Sequence, residues 1–394
     1  MKIRAARLID GIGDEALSNV ELEIDETVTG ISDGAAVDPG AHQYTVLPGL
    51  IDAHAHLSLS QELFEWWRNE RPDATYALET LRNAQQQLRC GVTTVRDLGS
   101  IRDVVQQVRD AINSGIVQGP RIYSSGRWLC ISGGHGAIYG HEADGPDGFR
   151  RAARKEIALG ADLIKLMATA GGLAEEGHDP NTTQVSDEEL AEIRKVTGSH
   201  RVPLAIHAHS NEAIRLAAKH HASSVEHGTW LSDEAIAELI EADVTLVPTV
   251  YTYQRGAPKW GGIESSPEQA ALSERIMDVK MPWLEKAVKA GVKIAAGTDG
   301  GAPSTGHGVL GDEIAQLTRV GLSNLQAIKA GTFESGRLVT GGERGTLTDG
   351  APADVLIVRG NPLEDITALK NVVCVIKDGA VVHGEIPAEL AVAD

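Results

Sequence analysis

Between residues 46 and 299 the chain alternates short apolar runs with helical patterns. Eight runs stand out. They are VLPGLIDAHAH (46–56), TTVRDLG (93–99), RIYSSG (121–126), LIKLMA (163–168), PLAIHAH (203–209), SSVEHG (223–228), TLVPTV (245–250) and VKIAAGTD (292–299). Most are near-continuous rather than alternating, the mark of strands buried on both faces of a parallel sheet. The stretches between them carry helix signals. SDEELAEIRKV opens on Ser186 with Glu189 three residues on, a capping box, and SNLQAIKAG repeats this with Ser323 and Gln326. NEAIRLAAKHH puts Ile214, Ala217 and Ala218 on one helical stripe. Eight strand–helix units predict an α/β fold, a (β/α)8 TIM barrel over residues 47–344. A doubly wound open sheet is the rival, but no GxGxxG follows the first strand.

The two ends read differently. Residues 1–46 and 345–394 hold short β-like pieces parted by turn signals, with KDGA (377–380) as a hairpin turn. Neither end has the apolar surface to fold alone, so the two are expected to pair into one small β-sandwich. The last residues, EIPAELAVAD, are expected to be loosely ordered.

Composition narrows the function. Apolar residues are 42% of the chain and aromatics 4%, which suits an aliphatic α/β core. The 36 basic residues face 55 acidic ones, a net charge of −19, with no basic run. That argues against a nucleic-acid partner. Cys90, Cys130 and Cys374 make neither a disulfide framework nor a CxxC site. No apolar stretch reaches membrane-span length and the N-terminus lacks a signal-peptide core. A soluble, cytoplasmic protein is expected.

Chemistry in such a barrel sits at the C-terminal strand ends. Strand 1 ends in Asp52, His54 and His56, strand 4 carries Lys165, and strand 5 carries His207 and His209. Strand 6 carries His227 and strand 8 Asp299. Residues i and i+2 share a face, so His54 and His56 both look into the barrel mouth. A lone histidine at a strand end is usually structural. His54, His56, His207, His227 and Asp299 converging on one mouth instead predict a divalent metal site.

These residues carry a resemblance. PGLIDAHAH, GADLIKLMATAGG, IHAH, VEHG, AAGTDGG and the terminal GERGTLTDGAPADVLIV together resemble the amidohydrolase superfamily, in its binuclear-metal subtype. Within it the chain is similar to the Xaa-Pro dipeptidase, metal-dependent carboxypeptidase and ochratoxin-hydrolase-like group. The resemblance implies two divalent metal ions, with zinc first and manganese or cobalt also acceptable. It implies that Lys165 is carboxylated by CO2 and bridges them as a carbamate. His54, His56 and Asp299 would hold the more buried ion, and His207 and His227 the more exposed one. Asp299 would also shuttle the catalytic proton.

His209 is read as supporting or structural, and His220 and His221, taken to lie on a helix, receive no role. His42 and His383 are read as surface residues, and His178 as facing water. The glycine-rich loop CISGGHGAIYGHEADG (130–145) resembles the family's GGHG segment. There His135 would contact the scissile carbonyl or its oxyanion, and Tyr139 would line the substrate site. Trp230 stands where the dipeptidase-like members commonly have tyrosine, which puts specificity in question. Tyr251, Tyr253 and Arg255 are candidate pocket residues, with Arg255 suited to a substrate carboxylate.

The expected activity is hydrolysis of a small-molecule amide, a dipeptide or N-acyl amino acid. Cyclic amides, lactones, carbamates and organophosphates are alternatives in the same site. A mononuclear deaminase would lack the strand-4 lysine, and a non-catalytic relative would have lost ligands. A homo-oligomer is expected from the resemblance.

Overall fold

The structure, a computed structural model, describes residues 1–59, 71–172, 177–254, 266–302 and 305–392. The N-terminal segment forms β1 (Lys2–Leu8), β2 (Leu17–Ile24), β3 (Val28–Asp33) and β4 (Tyr44–Pro48). The chain then enters the barrel. Its strands are β5 (Leu50–Ala55), β6 (Val92–Asp97), β7 (Arg121–Ser124), and, past two short strands in the third loop, β8 (Leu129–Cys130) and β9 (His141–Glu142), β10 (Ile164–Met167). β11 (Leu204–Ala208), β12 (Ser224–His227) and β13 (Thr245–Val247) follow. All barrel pairings are parallel, and β5, β6, β10, β11, β12 and β13 are buried along their full length.

Seven of the eight expected runs are strands. The eighth, 292–299, contributes single bridges and backbone hydrogen bonds instead of a regular strand. On one side Leu246 N donates to Lys293 O and Ala295 N to Leu246 O. On the other, Ala53 N donates to Ala296 O, and Thr298 N and Asp299 N both donate to His54 O. The barrel therefore closes at its seam. Two consecutive donors on one carbonyl, with Asp299 at φ 57°, break the regular ladder there. Asp52 locks the same seam, since its carboxylate accepts from Thr298 N, Thr298 Oγ1 and Gln87 Nε2.

The helices wrap outside: α1 (Asp73–Arg89), α2 (Val104–Asn113), α3 (Gly145–Ala158), α4 (Asp187–His200), α5 (Asn211–Lys219) and α6 (Asp233–Glu241). Then come α7 (Pro267–Ala290), α8 (Leu310–Thr318), α9 (Asn324–Ala330) and α10 (Phe333–Thr340). Both capping boxes form, Ser186 with Glu189 on α4 and Ser323 with Gln326 on α9. α5 ends at Lys219, so His220 caps it and His221, at φ 48°, lies beyond it rather than on the helix. His220 pairs with Asp187 at 2.6 Å.

The C-terminal segment adds β14 (Val355–Arg359), β15 (Val372–Lys377) and β16 (Ala380–Gly384). The two ends join in a seven-stranded sheet ordered β16-β15-β14-β4-β1-β2-β3, with β14 pairing antiparallel to β4. One apolar cluster, including Ile3, Leu22, Val46, Val355, Ile357 and Ile376, serves both ends. Asp378 and Gly379, at φ 48° and 76°, make the two-residue turn between β15 and β16, the left-handed pair that tight hairpins require. The tail is not loose up to residue 391. Arg4 N donates to Leu390 O, Ile3 bridges Ala391, and Leu390 is buried. A backbone donor in the half of β1 that β4 leaves unpaired, together with burial of Leu390, holds this segment.

Candidate metal centre

Every expected ligand is buried at the barrel mouth. His54 and His56 project from the end of β5. Their Nε2 atoms lie 3.3 and 3.2 Å from Asp299 Oδ1. The opposite ring nitrogens are engaged: His54 Nδ1 donates to Glu226 Oε2 at 2.8 Å and His56 Nδ1 to Gly99 O at 3.1 Å. Such partners fix the tautomer and leave the Nε2 lone pair for a cation. Burial alone would raise the Asp299 pKa, but the His54 and His56 imidazoles hold it well below the carboxylate range.

A second cluster, His207, His209 and His227, stands beside the first. The His207 and His227 rings are 4.5 Å apart, and His227 lies 5.2 Å from His54. Ligand atoms within each triad, this one and His54–His56–Asp299, come within 4.8 Å of one another. Burial pushes all three imidazoles of the second cluster well below the ordinary histidine pKa, which keeps them neutral. His207 Nε2 pairs with Ala170 O and His227 Nδ1 with Thr249 Oγ1. Each keeps its other ring nitrogen for a ligand. His209 differs: Nδ1 is 2.7 Å from Thr229 Oγ1 and Nε2 is 3.4 Å from the Tyr253 hydroxyl. Both its nitrogens face protein hydroxyls.

Lys165, on β10, is fully buried, and its Nζ has no hydrogen-bond partner. Burial lowers its pKa to about 8, and its charge is felt at Asp299 and His207. His54 Nε2 is likewise without a hydrogen bond. Buried polar atoms left unpaired are costly. Two of them, between two imidazole clusters and a carboxylate, fit a site built for divalent cations. Backbone strain concentrates here too, since His227, Thr249 and Asp299 have φ of 71°, 47° and 57°. A left-handed β-branched residue is rare and marks a site held open by its surroundings.

The substrate candidates divide. The His135 ring lies 4.6 Å from that of His207, over the second cluster. Trp230 is 6.2 Å from His209 and lies beneath the Arg275 guanidinium, at 5.4 Å. Tyr139 packs in the apolar clusters of Tyr76, Ile101 and Trp128, and burial raises its pKa to about 12. Tyr251 is half-buried, with Asp312 and Lys370 as its charged neighbours. Its neighbour Tyr253 is the tyrosine that meets the imidazoles, 5.9 Å from His209 and 6.2 Å from His227. Arg255 lies outside the described residues. His178 and His42 are exposed and His383 is half-buried.

Sequence reasoning missed the supports. Arg96, 2% exposed, donates to Glu226 Oε1, Ser224 Oγ and Ala53 O inside the barrel. Burial alone would raise the Glu226 pKa, but the Arg96 guanidinium brings it to about 2. Glu226 thus stays anionic against His54. The signal was faint. Glu226 and His227 are adjacent and should face opposite ways on a strand. The left-handed His227 ends that alternation, so both serve the site.

A sequence model of the amidohydrolase family matches residues 45–382. Ochratoxinase of Aspergillus niger is 31% identical over 403 residues, covering 92% of this chain and 82% of its own. Among solved structures, a Xaa-Pro dipeptidase with methionine bound in its active site has a TM-score of 0.87 at 30% identity, over 97% of this chain and 99% of that one. A prolidase complexed with N-methylphosphonate-L-proline has a TM-score of 0.85 at 27% identity, over 98% and 99%. The chain belongs to the amidohydrolase family, and is therefore an enzyme: a hydrolase of amide carbon–nitrogen bonds that works with divalent metal.

Proposed function

We propose that the enzyme cleaves the amide bond of a dipeptide or N-acyl amino acid and releases a free C-terminal amino acid. The observation that carries this reading is the pair of adjoining clusters, His54–His56–Asp299 and His207–His227, with the unpartnered Lys165 beside them. Support for the substrate class comes from relatives that are dipeptidases or prolidases, one with a free amino acid, methionine, in its active site.

His54, His56 and Asp299 would hold one ion and His207 and His227 the other. Zinc is the metal we expect, since neutral imidazole and carboxylate suit it. Lys165 as an ammonium has only donors and cannot ligate a cation. Reaction of its neutral amine with CO2 would form an N–C bond and release a proton, and the anionic carbamate would make Lys165 a ligand for divalent metal. Bound divalent metal supplies Lewis acidity and lowers the pKa of water. The chain's own groups do the rest. Asp299 takes a proton from the attacking water and delivers it to the departing nitrogen, because an amide nitrogen leaves poorly unless protonated. His135, above His207, donates to the oxygen that gains charge as the carbonyl carbon becomes tetrahedral. Glu226 and Gly99 O hold the His54 and His56 rings in register throughout.

The test is amino-acid release from a panel of dipeptides and N-acyl amino acids. The enzyme is zinc-loaded in bicarbonate, with Asp299→Asn as control. Release by the wild type alone is expected. Silence across the panel with two metals bound would reject this substrate class.

A further inference from the structure

The helix after the seventh strand, α7, buries one face along its length, with Gln269, Ile276, Met277, Lys280, Leu284 and Ala287. Most of that face packs against the barrel. Lys280 does not belong there on packing grounds. It is 1% exposed, and its Nζ has no hydrogen-bond partner. The Nζ sits 5.0 Å from the centre of the Tyr253 ring, whose hydroxyl is 3.4 Å from His209 Nε2. Its charge reaches His209, His227 and Asp299. Burial lowers its pKa to about 7 against the pull of Glu313 and Asp299, so Lys280 is an amine ready to take up a proton, one ring away from the second imidazole cluster.

Among the described residues no nearby carboxylate accepts a hydrogen bond from its Nζ. Glu313 acts on Lys280 through space, but its two oxygens accept from Val250 N and Tyr251 N at 3.0 and 2.7 Å. The other α7 cation near the mouth, Arg275, is half-exposed and already paired with Asp179 at 3.1 Å. A buried ammonium with no acceptor is costly, and an aliphatic side chain would fill the same place without that cost. The arrangement makes sense when an anion enters beside Tyr253.

We infer that Lys280 binds the free carboxylate of the amino acid that the enzyme releases. This rests on the function proposed above, in which every substrate ends in such a carboxylate. The ammonium offers three donors, and the cation–π contact with Tyr253 holds it in place until the carboxylate arrives. Lys280 is then a specificity-determining residue for substrates with an unblocked C-terminus.

The test is calorimetric binding of methionine, phenylalanine and proline, each against its carboxamide, to the zinc-loaded enzyme. The wild type should bind the acids about tenfold to hundredfold more tightly than the amides, the worth of one charge-assisted contact. Lys280→Met should weaken the acids to the level of the amides and leave the amides unchanged. Lys280→Arg should keep part of the difference. Metal content and thermal transition are measured alongside, and Lys280→Gln replaces the methionine variant should that one not fold. Equal binding of acid and amide by the wild type would overturn the inference, as would undiminished acid binding by a folded, metal-loaded Lys280 variant. Should the panel of amides go uncleaved while acid binding still depends on Lys280, the proposed reaction fails and the carboxylate site stands.

Discussion

Asp299 lies within 3.3 Å of two imidazole nitrogens while its backbone sits in the left-handed region. A carboxylate held this way is placed for proton transfer as well as ligation. Asp299→Asn should stay folded, melting no lower than the chelated wild type, and lower kcat by about 10²–10⁴, the usual worth of a general base. Stopped assays with calorimetric melting check both halves. His135 invites a test that leaves its side chain intact. A Cβ on Gly171 would lie 2.0 Å from His135 Cε1, so Gly171→Ala must push that ring away from His207. We expect its kcat to fall as far as that of His135→Ala, with metal content unchanged. Retained turnover in Gly171→Ala would remove His135 from the reaction. At this scale the ligands were legible because β-strand alternation and parallel-barrel geometry point them to one mouth. Lys280 was not legible, and Tyr253 was legible only as one of a pair with Tyr251. Lys280 falls between Ile276 and Leu284 at helical spacing and reads as one more residue of an amphipathic helix, and Tyr253 could not be told from Tyr251 without the turn that follows β13.

At the scale of elements, the seam between β5 and segment 292–299 decides whether the ligands meet. Gly297 makes the close approach possible, since a Cβ there would lie 2.6 Å from both His54 Cβ and Val247 Cγ1. Gly297→Ala should destabilise by about 1–3 kcal/mol through overpacking and lower metal occupancy with it. Denaturant melts and metal analysis on one sample test this together. Across the barrel, β6 and β12 are tied by Arg96 and Glu226. Glu226→Gln should cost about 3–5 kcal/mol, because it leaves the Arg96 guanidinium buried without its counter-charge. The pH dependence has a defined sign. Glu226 has a folded pKa of about 2 against an ordinary value of 4.5. Its stabilisation is therefore complete above the ordinary value and lost as pH falls from there through the folded one. The stability gap between wild type and Glu226→Gln should be wide at about pH 7 and narrower at about pH 3. A gap independent of pH would contradict the ion pair. The seam was only partly legible: VKIAAGTD reads as an eighth strand, yet paired donors on His54 O and the left-handed Asp299 replace the regular ladder.

At the scale of the molecule, the periodic march of runs and helices was enough to read a closed barrel. The terminal sheet was harder, because its strands come from opposite ends of the chain and their pairing leaves no local trace. Leu390 and Ala391, docked beside the N-terminal half of β1 that β4 leaves unpaired, show how a terminal tail is ordered by backbone groups left open in a sheet. Among the described residues no helix is long and apolar enough to cross a membrane. Two ligand clusters on four different barrel segments make bound metal a clasp on the whole fold. Chelation should lower the thermal transition, and restoring metal at a hundredfold excess over its Kd should return about 3 kcal/mol.

The central claim is that the two clusters and Lys165 act as one binuclear centre. The most direct measurement is the number of divalent ions per chain, by elemental analysis, after zinc loading in bicarbonate. It should be made on the wild type and on Lys165→Met. The account predicts two ions in the wild type and at most one in the variant, with the fold intact in both. A wild type that holds fewer than two, or a Lys165→Met variant that still holds two, would contradict it.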